Sequence, residues 1–166
     1  IEFIGPEYGN LSCGEIGFGR LSEIEKIYRI VYQFLEKSKK LKGKKCIVTA
    51  GPTIEPIDKI RFISNYSSGK QGYEIAKQLS LSGANVTLIS GPTSIQPPTN
   101  VKLIKIKSAI EMNKAVINSL PANIAVFSAA VTDIRTNKYS KKKIKKDKLL
   151  KMHLKHNTDI IKNVCS

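Results

Sequence analysis

From residue 46 onward, short apolar runs alternate with amphipathic stretches. Four runs of apolar, β-prone residues predict strands over 46–50, 85–90, 101–106 and 122–130. The first run has no polar alternation, as in a strand that is buried on both faces of a parallel sheet. Between the strands, residues 68–82 and 108–120 have apolar side chains at helical spacing. Because strands alternate with helices, we expect right-handed crossovers and a Rossmann-like α/β fold with an open, mainly parallel sheet and flanking helices.

The first 45 residues follow a different pattern. Residues 5–20 contain five glycines, which predicts a loop rather than a helix or a regular strand. Ser22 and Glu25 match a capping box, and the apolar spacing after them predicts a helix that ends near Leu35. The ten residues after Leu35 are polar and include six lysines, which is typical of a linker. The predicted division is an N-terminal part over 1–36, a basic linker over 37–45 and an α/β part over 46–166.

Composition and charge indicate the class of partner. With 41% hydrophobic and 25% charged residues, the chain has the composition of a globular protein rather than of a disordered or fibrous one. Its 28 basic side chains against 13 acidic ones give a net charge of +15, which favours phosphates, nucleotides, nucleic acid or an acidic partner. No apolar run approaches the ~20 residues of a membrane span, so we predict no membrane partner.

The cysteines and histidines predict neither a disulfide framework nor a metal site. Cys13, Cys46 and Cys165 are an odd number without a C-x-x-C pair, which fits a cytoplasmic protein. His153 and His156 are three residues apart but lack the further ligands of a metal site, so we interpret them as a surface pair.

A candidate phosphate site follows the first predicted strand. Ligands of open α/β sheets bind outside the carboxyl ends of the strands, where Gly51 lies. The next predicted helix starts at Ser67, Ser68 and Gly69, where backbone N–H groups, two hydroxyls and a close-approach glycine can hold an anion. The segment matches neither the Walker nor the G-x-G-x-x-G pattern, and an ordinary serine cap with a turn glycine is the alternative.

The residues after the last predicted strand suggest a second part of the same site. Asp133 follows Ala130 closely, and seven of the residues from 138 to 148 are lysines. A lysine run is usually a solvated, mobile surface. On the same edge of the sheet as the candidate phosphate site, however, these lysines can neutralise a triphosphate.

Five separated segments closely resemble, in order and spacing, the phosphopantothenoylcysteine synthetase domain of coenzyme A biosynthesis. The segments are 49–58, 61–70, 90–92, 129–133 and 143–146, within a match over residues 45–160. Residues 5–20, with Ser-Cys-Gly at 12–14 and Gly-x-Gly-Arg at 17–20, resemble the last loop of the phosphopantothenoylcysteine decarboxylase flavoprotein that bacteria fuse in front of this synthetase. Together the two resemblances imply one bifunctional protein.

The synthetase resemblance implies a two-step ligation. The carboxylate of 4'-phosphopantothenate attacks the α-phosphorus of CTP to form an acyl-cytidylate, and the amine of cysteine then displaces CMP. Mg²⁺ is expected to come with the nucleotide. Carried over by position, Asn65 polarises the acyl-cytidylate carbonyl and Lys143 binds the triphosphate. The other nucleotide-binding residues that the resemblance implies are Gly51, Ser67, Ser68 and Gly69 along the phosphates, Ala130 and Asp133 beside the cytidine, and Asn157 and Asp159 near the nucleotide.

The decarboxylase resemblance implies that Cys13 is the acid that protonates the enethiol intermediate of an FMN-dependent reaction. The synthetase family continues beyond residue 166, and the flavin-binding body of the decarboxylase is absent. We therefore expect a fragment with two incomplete catalytic units, low activity by itself, and a tendency to form a homo-oligomer or to pair with a complementing chain. The sequence departs from the family at Pro52, Thr132 and Thr158, where Gly, Ala and Pro are usual.

Two other functions are compatible with the sequence. One is a basic nucleic-acid-binding module in which residues 138–148 contact phosphates. The aromatic residues Phe62, Tyr66, Tyr73 and Phe127 argue against it, because they do not interleave with the lysines as a base-stacking platform would. The other is a catalytically silent remnant that still folds. The sequence leaves open whether CTP is preferred over ATP.

Overall fold

The chain folds as two compact units, Ile1–Lys40 and Leu41–Ser166. A computed structural model describes residues 4–11 and 14–165, without the side chains of residues 33–38. None of the helices in these ranges is both long and apolar enough to cross a bilayer.

The N-terminal unit consists of a β-hairpin and one helix. Its elements are strands β1 (Glu7–Asn10) and β2 (Ile16–Arg20) and helix α1 (Ile24–Ser38). The prediction of a loop over residues 5–20 is therefore wrong. Gly9 pairs with Gly17, and the rings of Tyr8 and Phe18 meet edge to face with 5.2 Å between their centroids. Such a cross-strand aromatic contact offsets the weak strand propensity of glycine.

Helix α1 begins and ends later than the sequence predicts. The Ile27 N–H donates to the Glu23 carbonyl, so Ser22 is not the N-cap and the predicted capping box is wrong here. Ser22 is instead buried, with 2% of its surface exposed. At the other end the helix continues to Ser38, through the first residues of the predicted linker.

The second unit contains the strands and helices of the predicted α/β part. Its elements are β3 (Lys45–Ala50), β4 (Ile54–Pro56), β5 (Phe62–Ser64), α2 (Lys70–Leu81), β6 (Asn85–Ser90), β7 (Val101–Lys105), α3 (Ala109–Asn118), β8 (Ile124–Phe127), β9 (Ile134–Thr136), α4 (Lys146–Leu149), β10 (Leu154–His156) and α5 (Ile160–Cys165). Strand β8 is shorter than its apolar run because the N–H groups of Ser128 and Ala129 donate to the Thr49 hydroxyl, at 3.2 and 3.3 Å. At α3 the Glu111 N–H donates to the Ser108 hydroxyl at 3.3 Å, so Ser108 caps the start of this helix.

Four of these strands form an open sheet in the order β7-β6-β3-β8, and all neighbours are parallel. This topology confirms the predicted Rossmann-like α/β fold. Strand β3 leads through α2 to β6 on one side of the sheet, whereas α3 leads back to β8 on the other side. The direction of winding therefore reverses between β3 and β8, which is where such sheets open a crevice for ligands.

Alternate residues of β3 enter hydrophobic clusters on opposite faces of the sheet. The cluster on the α2 side includes Cys46, Val48, Ala50, Tyr73 and Ala76. The cluster on the side of α3 and α5 includes Ile47, Met112, Val116 and Ile160. Since both faces are covered, β3 has no solvated face, which explains its uninterrupted apolar run.

Two short antiparallel pairs follow the central strands, β4 with β5 after β3 and β9 with β10 after β8. The sequence does not predict them, because each strand has only three residues and the pattern of a strand needs four or more. The Thr136 hydroxyl donates to the Pro56 carbonyl at 3.2 Å and so links the two pairs. Both pairs lie in the segments that follow the carboxyl ends of β3 and β8.

Candidate functional site

A cleft of about 370 Å³ lies at the carboxyl ends of β3 and β8, where the winding of the sheet reverses. Thr49 and Phe127 line it from the two strands. Three predicted nucleotide-binding residues, Asp133, Asn157 and Asp159, also line it. The fold therefore brings together three predicted residues that span 26 positions, in the place where an α/β sheet of this kind binds ligands.

Beside this cleft, backbone pairing continues past the ends of β3 and β8, through residues that do not themselves line the cleft. The Ala130 N–H donates to the Gly51 carbonyl at 2.9 Å, and the Thr53 N–H donates to the Ala130 carbonyl at 3.2 Å. Thr53 is buried, and its hydroxyl accepts from the Thr132 N–H at 3.0 Å. Both predicted residues, Gly51 and Ala130, thus belong to one rigid backbone ladder.

Thr132, one of the predicted departures from the resembled family, has a structural role in this ladder. Its side chain is buried, and the two hydroxyls of Thr53 and Thr132 lie 3.1 Å apart. The Asn157 amide donates to the Thr132 carbonyl at 2.7 Å and approaches the Thr132 hydroxyl at 3.3 Å. The sequence analysis identifies Thr132 only as a departure from the family and misses this bridge between the β3 and β10 ends of the cleft.

Gly51 and Gly69 lie against each other at the start of α2. A Cβ at Gly69 would be 3.3 Å from the Gly51 nitrogen and 2.8 Å from the Thr93 methyl group. Both glycines also have positive φ, +71° at Gly51 and +77° at Gly69, which other residues rarely adopt. The two glycines therefore let the backbone after β3 pack closely against the start of α2.

The two predicted phosphate-binding serines partly satisfy the start of their own helix. Helix α2 begins at Lys70, and the hydroxyls of Ser67 and Ser68 accept from the N–H groups of Gly69 and Lys70, at 3.3 and 3.4 Å. The N–H groups at these two positions are thus less free than the sequence implies. Because both bonds are long, an anion that binds more strongly can displace the hydroxyls.

Asn65 and Asn157 both reach the segment that leaves β8. The Asn65 amide donates to the Val131 carbonyl at 3.0 Å, and its side chain is otherwise exposed. The Asn157 N–H donates to the Asp133 carbonyl at 2.7 Å. The Asn157 Oδ1 atom is buried and has no hydrogen-bond partner among the described residues, so the wall of the cleft holds an unsatisfied acceptor.

Asp159 lies at the start of α5. Its Oδ1 atom accepts from the Lys162 N–H at 3.0 Å, which caps the helix. The carboxylate nevertheless lines the cleft, together with Asp133, and both residues are exposed. A capping role and contact with a ligand are therefore compatible at this position.

Lys143 is exposed, and it is absent from the residues that line the cleft. The structure does, however, tie the neighbouring Ile144 to the β4–β5 pair. The Ile144 N–H donates to Asp58 Oδ2 at 3.0 Å, and Arg61 Nη2 donates to the Ile144 carbonyl at 2.6 Å. Asp58 and Arg61 fall in the segments that resemble the synthetase, but the sequence does not indicate this contact.

The Asp58 carboxylate is fully buried and bound on both oxygens. Arg61 forms an ion pair with it at 2.6 Å, and the N–H groups of Ile60 and Arg61 donate to its other oxygen at 2.8 and 2.9 Å. The Ile144 N–H and then the Arg61 guanidinium hold the pKa of this carboxyl well below its usual range. Asp58 is therefore ionised wherever the protein is folded near neutral pH.

The remaining candidates from the sequence are the cysteines and a metal site. Cys13 is outside the described residues. Cys46 is buried in the core, and burial raises the pKa of its thiol, so it is not a reactive thiolate. Within the described ranges there is no group of three or more His, Cys, Asp or Glu side chains that could hold a metal ion.

Residues 41–166 match the family of the DNA/pantothenate metabolism flavoprotein C-terminal domain, abbreviated DFP. The chain belongs to the DFP family. The DFP match covers the whole second unit, including the cleft and the Asp58–Ile144 contact.

Relatives of this DFP chain include bifunctional proteins named for coenzyme A biosynthesis. The CoaBC protein of Haemophilus influenzae is 44% identical over 166 residues, covering 99% of this chain and 42% of the relative. The CoaBC protein of Escherichia coli K12 is 40% identical over 167 residues, covering 98% of this chain and 41% of the relative. The chain thus spans about two fifths of the length of these relatives.

Solved structures share the fold of the second unit. A crystal structure of the C-terminal domain of CoaBC has a TM-score of 0.66 and 38% identity, covering 75% of this chain and 59% of that domain. A Cab2 mutant H337A in complex with phosphopantothenate-cysteine has a TM-score of 0.55 at 17% identity, covering 75% of this chain and 58% of that chain. The latter similarity is one of fold alone.

Proposed function

We propose that the second unit is the nucleotide-binding part of a CTP-dependent phosphopantothenate–cysteine ligase in coenzyme A biosynthesis. The observation that supports this proposal most directly is the cleft at the reversal of the sheet, which gathers Asp133, Asn157 and Asp159 beside the ladder of Gly51 and Ala130. Membership of the DFP family and the CoaBC relatives supply the reaction class.

The proposed chemistry has two balanced steps. In the first, a carboxylate oxygen of 4'-phosphopantothenate forms a bond to the α-phosphorus of CTP, and pyrophosphate leaves. In the second, the cysteine amine attacks the acyl carbon, CMP leaves with the bonding electron pair, and the amine gives up a proton. Activation is needed because a free carboxylate is a poor acyl donor, whereas CMP is a good leaving group.

Asn157 supports recognition of the base. Its buried Oδ1 atom has no partner among the described residues, and a rotation of the side chain towards the cleft would let this unsatisfied acceptor bind a donor of the base. Cytosine has an exocyclic amino group, whereas uracil has a carbonyl at the same position. We therefore expect this side of the cleft to favour CTP over UTP.

The phosphates would extend from the cleft along the ladder towards the start of α2. There Gly51 and Gly69 allow close backbone approach, and the N–H groups at Gly69 and Lys70 point at the entering anion once the serine hydroxyls are displaced. Lys143, in the lysine-rich segment 138–148, would add positive charge that binds the phosphates. Mg²⁺ fits as a cation carried by the phosphates, since the described residues provide no cage of their own.

Asn65 is proposed to act in the second step. It lies at the same edge of the ladder as Val131, and its exposed amide can donate to the carbonyl oxygen of the acyl-cytidylate. That oxygen gains negative charge when the amine attacks, so a donor there lowers the barrier. Cys13 and the FMN-dependent decarboxylation stay predictions from the resemblance.

Titration calorimetry of the chain with CTP, UTP, ATP and single-stranded RNA, each with Mg²⁺, tests the nucleotide part. We expect saturable CTP binding that is at least about tenfold tighter than UTP binding, the value of one hydrogen bond to a buried acceptor. Equal affinity for CTP and UTP contradicts the assigned base site. RNA binding that CTP does not displace favours the nucleic-acid alternative.

The ligation part is tested in a chimera in which this chain replaces the matching segment of the Haemophilus influenzae relative. Pyrophosphate release from CTP should require 4'-phosphopantothenate and should not occur with the alcohol analogue, 4'-phosphopantothenol, which has no carboxylate to activate. Release that is independent of the carboxylate would remove the acyl-cytidylate from the proposal.

A further inference from the structure

The lysine-rich segment is anchored at its centre by a buried ion pair. Asp58 Oδ2 accepts from the Ile144 N–H at 3.0 Å, and the Arg61 guanidinium donates to the Ile144 carbonyl at 2.6 Å while it also pairs with Asp58. Both peptide groups that flank the Ile144 Cα atom are thus held. The first of them is the peptide group that Lys143 shares with Ile144, so the backbone of Lys143 is fixed as well.

Further contacts make the same segment an ordered turn rather than a mobile run. The Ser140 N–H donates to the Ile57 carbonyl at 3.1 Å, next to Asp58. The Ser140 hydroxyl donates to the Lys142 carbonyl at 2.6 Å. Residues 140–144 are therefore bound at both ends to residues 57–61, although their lysine side chains are exposed.

The negative charge of Asp58 is complementary to the positively charged segment that it anchors. Seven lysines between residues 138 and 148 repel one another, and a segment of this kind by itself is extended and mobile. A buried carboxylate with a strongly lowered pKa keeps its negative charge and its strong hydrogen bonds across the physiological pH range. Anchoring removes conformational freedom before a ligand arrives, so less is lost on binding.

We propose that Asp58 is a positioning residue for the triphosphate, which holds the backbone at Ile144 and thereby places Lys143. This inference rests on the proposed nucleotide function. It assigns to Asp58 no contact with the ligand, because its carboxylate is fully buried and both of its oxygens are already bonded within the protein.

The test compares Asp58→Asn with Asp147→Asn, a matched change of an exposed carboxylate within the lysine-rich segment. In Asp58→Asn, an amide N–H would face the Ile144 N–H, and the segment should be released. We expect trypsin to cleave after Lys142, Lys143 and Lys145 about tenfold faster than in the parent chain, with Asp147→Asn unchanged. Unchanged cleavage in Asp58→Asn overturns the anchoring.

Nucleotide affinity separates positioning from a general structural role. CTP should bind Asp58→Asn about tenfold more weakly, whereas CMP, which lacks the outer phosphates, should bind within about twofold of the parent. The double variant Asp58→Asn/Lys143→Ala should be no weaker than Lys143→Ala alone, because the first residue acts through the second. Additive effects, or equal losses for CTP and CMP, overturn the inference.

A second variant distinguishes loss of the Asp58–Ile144 contact from misfolding of Asp58→Asn. Ile144→Pro removes the N–H that donates to Asp58 but leaves the Asp58–Arg61 pair in place. It should reproduce the loss of CTP affinity and the faster cleavage after Lys142 and Lys145, whereas the bond between Lys143 and the new proline is resistant to trypsin. A variant that binds CTP like the parent contradicts the proposal. If the parent chain itself does not bind CTP, the proposed function fails first; if it binds CTP through Lys143 but not through Asp58, this inference alone fails.

Discussion

Two regions near the ligand-binding end of the sheet, the ladder and the lysine-rich segment, are held in different ways. The ladder of residues 51–53 and 129–132 is tied by backbone hydrogen bonds, with Thr53 and Thr132 buried within it. The lysine-rich segment 138–148 is exposed and depends on contacts with residues 57–61. In the first segment, shape is set by backbone packing, so substitutions there should affect stability. In the second, exposed charge dominates, so substitutions should affect affinity.

The largest effect is expected where the ladder is packed most tightly. A Cβ at Gly91 would lie 1.7 Å from the Pro52 carbonyl oxygen, so Gly91→Ala has to move backbone that pairs with Ala130. We expect the free energy of unfolding to fall by about 3 kcal/mol, measured by urea denaturation.

Gly43→Ala is the matched control for this change. Gly43 has a positive φ of +77°, but a Cβ there would have open space around it. Its substitution should therefore cost only the conformational strain, about 1 kcal/mol. Equal losses for the two variants would show that packing against Pro52 contributes nothing.

The next effect concerns chemistry at the edge of the ladder. Asn65→Asp puts a carboxylate where the acyl-cytidylate carbonyl would gain negative charge, and it also places an oxygen near the Val131 carbonyl. In the chimera with the Haemophilus influenzae relative, amide formation should fall about 100-fold, the effect of losing one oxyanion donor. Pyrophosphate release and CTP affinity should stay within about twofold.

Asn137→Asp, a similar change at an exposed position of the second unit, serves as the control. It should leave both steps intact. If Asn65→Asp slows pyrophosphate release as much as amide formation, Asn65 acts in nucleotide binding rather than in the second step.

Lys143→Ala tests the second segment. Loss of one charge-assisted contact to phosphate should weaken CTP binding by roughly 10- to 100-fold, about 1.5 to 3 kcal/mol, and should leave the unfolding free energy nearly unchanged. Lys141→Ala, in the same run, and Lys40→Ala, in the N-terminal unit, should change CTP affinity by less than about threefold. An equal loss in all three variants would mean that only net charge matters.

Features that depend on local sequence patterns could be predicted from the sequence, whereas contacts between distant residues could not. The α/β fold is readable because β3 and β6 are short apolar, β-prone runs, and α2 and α3 have apolar side chains at helical spacing. The cleft is partly readable, since the residues after β3 and β8 must meet at one edge of a parallel sheet.

The missed features depend on contacts between distant residues. The Thr53–Thr132 pair is 79 positions apart and the Asp58–Ile144 contact is 86 apart, and no local pattern encodes either. The N-terminal hairpin is missed for a different reason. Its glycines suggest a loop, and only the pairing of Gly9 with Gly17 and the Tyr8–Phe18 contact reveal the strands.

The smallest expected effect is the pH dependence of the contact between Asp58 and the lysine-rich segment. The pKa of Asp58 is lowered in the folded protein, chiefly by the Ile144 N–H and then by Arg61, whereas an unfolded aspartate titrates near ~3.9. A carboxyl of this kind stabilises the fold fully above the unfolded pKa, and its contribution is lost as the pH falls below about 4. The difference in unfolding free energy between the parent chain and Asp58→Asn should therefore be constant from about pH 7 to 5 and shrink below about pH 4. Urea denaturation at each pH measures it, with Asp147→Asn as the control. A difference that persists undiminished in acid would show that the side-chain shape of Asp58, and not its charge, holds the lysine-rich segment.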